Sequence, residues 1–96
     1  MDVSTHAKKR LHERMGVNKK SSERVAQNAL KSGIKRQDFS GSIRRFLDML
    51  YFQYMDKEII VYSNKVFVFA GDILVTVMDL PSRYNKVCAK VGNKEG

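Results

Sequence analysis

A single cysteine, Cys88, stands in the whole chain. No intrachain disulfide can therefore form, and a thiolate zinc site cannot be assembled from one thiol. Histidine is almost as scarce: His6 and His12 are six residues apart and fall on different faces of a helix, so they make no i, i+4 metal pair. Neither a metal nor a cofactor is expected. No apolar run approaches the roughly 20 residues of a membrane span, and no apolar stretch follows the N-terminal charges as a secretory signal requires. A cytoplasmic protein without a membrane partner is the expectation. The glycines form no phosphate-cradling loop and no Ser-x-Gly elbow, and no paired carboxylates sit in an apolar setting that would drive their pKa values apart.

Acidic side chains are also few. Eighteen Lys and Arg stand against ten Asp and Glu, a net charge of +8. Residues 1–45 hold twelve of the basic residues and four of the acidic ones, whereas residues 46–96 hold six of each. All of the excess charge lies in the N-terminal half. A surface polarised in this way attracts polyanions and binds them in a salt-dependent manner. RNA or a ribonucleoprotein complex is the expected partner, and a homodimer through an open sheet edge is a further possibility.

At 96 residues the chain has room for one domain with one modest core, covering 1–96, with order expected over about 4–84 and fraying over 91–96. Ser4 or Thr5 can cap a first helix that Gly16 ends, with Val3, Ala7 and Leu11 as its apolar stripe. A second helix starts near Asn18 and stops at Gly33, burying Val25, Ala26, Ala29 and Leu30. Residues 34–41 read as a polar connection. Ile43, Phe46, Leu47, Leu50, Tyr51 and Tyr54 then recur at helical spacing behind a Ser40 cap and mark the core helix. From Glu58 onward the pattern becomes short β-branched runs: 59–62, 66–70 and 73–78, separated by Ser63-Asn64-Lys65 and Gly71-Asp72. Links this short allow only antiparallel pairing. Residues 82–90 could add an edge strand or a short helix after Pro81. The expected fold class is α+β: three N-terminal helices packed on a three- to four-stranded antiparallel β-meander. Helices should cover one sheet face, leaving the other partly covered or available for binding.

The first helix carries the chemistry. His6, Arg10 and Arg14 recur every four residues on a stripe beside the apolar one. Arginine forks match phosphate oxygens, and imidazole is the side chain that changes charge near neutrality. Together they suit a phosphodiester, and they are the toolkit of metal-independent RNA cleavage, in which a base activates the 2′-hydroxyl while cations hold the phosphate. Lys9, Lys19, Lys20 and Arg24 are candidates for backbone binding, and Lys35, Arg36, Arg44 and Arg45 form a second basic cluster that could extend the same surface. On charge patterning alone these residues read first as a solvated basic face.

The stretch His6-Ala7 with Arg10 and Glu13-Arg14, the helix closing at Gly33, and the terminal strand Thr76-Val77-Met78-Asp79-Leu80-Pro81 resemble a group of small proteins of phages and other mobile elements. More distantly, the plan of helices followed by an antiparallel sheet resembles the RelE- and BrnT-like ribonuclease toxins of the barnase, EndoU, colicin and RelE group. That resemblance implies a metal-independent endoribonuclease acting in the cytoplasm of a host bacterial cell. It implies His6, Arg10 and Arg14 as active residues, with Tyr62 or Thr76 contributed by the strands. The alternative is a non-catalytic, anti-CRISPR-like anti-defence inhibitor whose basic surface binds a nucleic-acid-handling complex or its nucleic acid.

Overall fold

The structure, a computed structural model, describes residues 3–55 and 57–84, apart from the Lys19 side chain. Cys88, the 85–90 part of the expected edge element and the 91–96 tail lie outside the described residues. The fold is α+β, and the described residues form three helices and a four-stranded antiparallel sheet. In chain order the elements are α1 (Thr5–Met15), α2 (Ser22–Ser32), β1 (Ile34–Lys35), α3 (Gly41–Gln53), β2 (Glu58–Tyr62), β3 (Lys65–Ala70) and β4 (Ile73–Asp79). Ser82–Tyr84 form a single 3-10 turn after Pro81.

Local chemistry accounts for each boundary. Ser4 caps α1, its hydroxyl accepting from the Ala7 amide, and Gly16 ends it in the left-handed region at φ 68°, where its amide bonds back to the His12 carbonyl. Asn18 opens the short 3-10 turn before α2 by accepting the Ser21 amide on its side-chain oxygen. Ala26 and Ala29 are fully buried, and these small side chains let α2 come close to β2. Gly33 stops α2 in an extended conformation, and a Cβ there would collide with the Ile60 side chain and the Ala29 carbonyl. Its role is close approach to the sheet. That approach explains a strand absent from the sequence reading: Ile34 and Lys35, expected in a polar connection, pair with Val61 and Ile60 because Gly33 delivers the chain against β2. Two residues are too few to show any periodicity.

Strands β2 to β4 form the expected meander. Ser63 and Asn64 both take positive φ, the two-residue turn whose twist matches the strands, and Gly71 supplies the positive φ of the second turn. Alternation then sorts the strands into two layers. Ile59, Val61, Val66 and Val68 pack with Ile43, Leu47 and Leu50 of α3. Ile60, Phe67, Phe69, Leu74 and Val77 pack with Ala7 and Leu11 of α1 and Ala26 and Ala29 of α2. Helices therefore cover both sheet faces, where one face was expected to remain partly open. The sheet order is β1-β2-β3-β4, so β1 forms one edge and β4 the other.

The β4 edge positions the site. A bulge interrupts the ladder after the Val68–Thr76 pair, because Phe69 pairs with Leu74 and leaves Val75 as the extra residue. Residues just before α1 fill the irregular edge. Val3 bridges to Leu74, the Ser4 amide donates to the Leu74 carbonyl at 3.0 Å, and the Ser4 hydroxyl donates to the Val75 carbonyl at 3.0 Å. One serine thus caps α1 and ties its start to β4.

Candidate phosphodiester site on the first helix

With α1 pinned at both the cap and the apolar stripe, its His6 stripe faces β4. His6 Nε2 lies 3.1 Å from Thr76 Oγ1, and Arg10 Nε donates to the same nitrogen at 3.5 Å. A guanidinium has donors and no acceptor, so Nε2 carries its lone pair toward Arg10. In the tautomer that carries its proton on Nδ1, Nε2 accepts from Arg10 and from the Thr76 hydroxyl. Thr76 is buried at 6% exposure while His6 is exposed, which places an accessible base above a fixed hydroxyl.

One turn further along α1, Arg14 donates to Asp79 at 3.0 Å, and Lys65 of β3 reaches the other oxygen of the same carboxylate at 3.0 Å. The hydrogen bond from Lys65 chiefly, with Arg14 adding its charge, holds the Asp79 carboxyl below the usual carboxylate range. Arg10 also has Glu13 at 3.7 Å. Arg10 and Arg14 follow His6 along one stripe of α1, and Asp79 ties Lys65 to the Arg14 end of it.

A second feature lies on the other flank of α1. Thr5, Lys8, Lys9 and His12, with Asn18 beyond the helix end, line a half-open groove of about 590 Å³. Among the described residues the lining contains two lysines, a histidine, a threonine and an asparagine, and no carboxylate.

His6, Arg10 and Thr76 thus come together from opposite ends of the chain, and Arg14 lies beside them. Tyr62 does not join them. It is on β2, separated from β4 by β3, and packs edge-on against Phe67 with ring centroids 5.9 Å apart. Lys9 lines the groove, and Lys20 and Arg24 are exposed near the start of α2. The Lys19 side chain is outside the described residues.

The second basic cluster does not extend the α1 surface, because α3 packs on the opposite sheet face and β1 forms the opposite edge. Two of its arginines have local partners. Arg36 reaches Asp48 at 2.6 Å and lies 4.0 Å over the Tyr51 ring. Arg44 reaches Asp48 at 2.9 Å and donates to the carbonyls of Gln37 and Phe39. Lys35 and Arg45 are exposed.

Sequence reasoning missed Lys65 and Asp79, which steady Arg14, and it missed Thr5, Lys8, His12 and Asn18 as groove residues. Positions 5, 8, 9 and 12 follow the i, i+3, i+4, i+7 rule, so the groove did carry a signal that the His6 stripe overshadowed. No known protein family, no curated protein and no solved structure matches the chain.

Proposed function

We propose that the chain is an RNA-targeting protein of a phage or other mobile element, a metal-independent endoribonuclease of the RelE-like kind acting through His6. The supporting observation is the convergence of His6, Arg10 and Thr76, with His6 Nε2 within hydrogen-bond distance, 3.1 Å, of a hydroxyl. An RNA 2′-hydroxyl in place of the Thr76 hydrogen bond would give its proton to Nε2 as O2′ attacks the adjacent phosphorus. The P–O5′ bond breaks, water protonates the leaving 5′-oxygen, and a 2′,3′-cyclic phosphate remains. The proton on His6 passes to solvent. Arg10, with Arg14 beside it, holds the non-bridging oxygens as charge builds. Thr76 acts as a positioning residue: its hydroxyl holds the ring in place before RNA binds and gives way to the 2′-hydroxyl.

The test is incubation of purified protein with structured and unstructured RNA in excess chelator, across a pH series. Cleavage leaving 2′,3′-cyclic ends is expected, with a loss of about 10²–10⁴-fold in His6→Ala, the usual contribution of a general base. Thr76→Val should change the pH profile while RNA binding stays intact. Cleavage that survives His6→Ala would overturn the assignment.

One observation favours the non-catalytic inhibitor as a second reading. Nε2 of His6 already has Thr76 and Arg10 within hydrogen-bond distance, as in a site that uses the ring to hold a surface together. Intact RNA combined with salt-sensitive binding to RNA or to a nucleic-acid-handling complex is the outcome that reading expects.

A further inference from the structure

We propose that the groove formed by Thr5, Lys8, Lys9, His12 and Asn18 is a backbone-binding subsite for a single RNA strand whose adjoining phosphodiester lies at His6. The inference rests on RNA being the ligand of the His6 face and adds where the rest of the strand goes. About 590 Å³ falls within the range of ligand-sized clefts. Most of the lining surface is carbon, as lysine stems provide, while its polar groups can each donate a hydrogen bond, two are ammonium groups, and no carboxylate is among the described lining residues, so the polar contacts suit an anion rich in acceptors.

The relation between groove and His6 selects the form of that anion. His12 and His6 are separated by about 120° around the axis and about 9 Å along it, at 100° and 1.5 Å per residue. Lys9 and Glu13 stand on the ridge between the two flanks, Glu13 lying 3.7 Å from Arg10. A ligand that touches both must bend over an exposed helix about 10 Å across. Duplex nucleic acid is stiff over about 150 base pairs and cannot make that turn, whereas a single strand can. Phosphates spaced along one flexible strand would meet Lys8 and Lys9 in the groove while the neighbouring phosphate meets Arg10 beside His6. Thr5 and Asn18 supply hydroxyl and amide contacts for sugar or phosphate oxygens.

The test uses a labelled 2′-O-methyl RNA oligonucleotide, which lacks the nucleophile and stays intact, titrated by fluorescence anisotropy from 50 to 200 mM salt. The groove variant is Lys8→Gln/Lys9→Gln. Lys35→Gln/Arg45→Gln, exposed on the far edge and the α3 side, is the control that removes equal charge. Both should melt like wild type. The groove variant is expected to weaken binding at least 10-fold and to reduce the slope of log K against log salt by about 1.4, two single-strand contacts. The control should change affinity less than 2-fold.

Equal losses in the two variants would overturn the proposal, because the attraction would then be diffuse charge. So would absence of binding by wild type, or displacement of the RNA by polyglutamate of matched charge with equal efficiency. Cleavage measured in parallel separates this inference from the one it rests on. His6-dependent cutting that ignores the groove variant removes the groove alone. Groove-dependent binding without cutting removes the nuclease reading and keeps the subsite.

Discussion

Asp48 shows how much one side chain can alter the reading of its neighbours. It accepts from Arg36 at 2.6 Å and from Arg44 at 2.9 Å, and those two hydrogen bonds, Arg36 first, hold its carboxyl below the usual carboxylate range. A carboxylate whose pKa is lower folded than unfolded stabilises the fold above its unfolded value, and that stabilisation is lost as pH falls through the folded value. Asp48→Asn should therefore lower the melting temperature at pH 7, and the gap to wild type should close as pH drops below about 4. A gap that stays constant between pH 7 and pH 3 would show that the pair adds nothing through charge. In sequence, Arg36 and Arg44 had the same standing as Lys35 and Arg45. Arg44 and Asp48 are an i, i+4 pair and could be read as such, but Arg36 reaches Asp48 from another element. His6 shows the opposite case. Its stripe with Arg10 and Arg14 was legible from spacing alone, whereas its hydrogen bond to Thr76 depends on how β4 is placed.

At the scale of elements, α1 is useful only where β4 holds it. Ser4 makes both links, accepting the Ala7 amide and donating to the Val75 carbonyl that the bulge leaves available. Ser4→Ala removes both and should cost about 0.5–2 kcal/mol, the usual range for an N-cap. For a domain of this size that is a drop of several degrees in melting temperature. The same variant should reduce any His6-dependent activity by more than its loss of folded protein, since the imidazole would lose its fixed relation to Thr76. Much of the element plan was open to sequence reading. The caps of α1, the stripe of α3 at 43, 46, 47, 50, 51 and 54, and the three apolar runs of the meander each follow from local spacing or turn chemistry. β1 was not legible, because two residues carry no period and their pairing follows from a glycine's closeness to Ile60. Which helix covers which face was not legible either. The strands were apolar on both sides, which implies cover, but the allocation of α1 and α2 against α3 is a property of packing.

At the scale of the whole molecule, the charge imbalance in residues 1–45 is resolved by the fold into two unlike regions. Across the sheet, Asp48 engages Arg36 and Arg44, while the α1 side keeps Lys8, Lys9 and His12 around a groove with no acid among its described lining residues. Cationic groups gathered on one helix repel one another, and a bound polyanion relieves that repulsion only while the helix is folded and its groups are held together. Ligand that binds the folded chain and not the unfolded one adds RT ln(1 + [L]/Kd), about 2.7 kcal/mol at a hundredfold excess over Kd. At about 4–8 °C per kcal/mol for a domain near 100 residues, uncleavable 2′-O-methyl RNA should raise the melting temperature by roughly 10–20 °C at low salt. Because the gain comes from released counterions, it should shrink steadily as salt is raised from 50 to 200 mM. The groove variant Lys8→Gln/Lys9→Gln, at about 10-fold weaker binding, should lose about half of the gain or more, and Lys35→Gln/Arg45→Gln should keep it. A rise that is the same in both variants would assign the stabilisation to net charge, and the folded arrangement of α1 would then have no part in choosing the ligand.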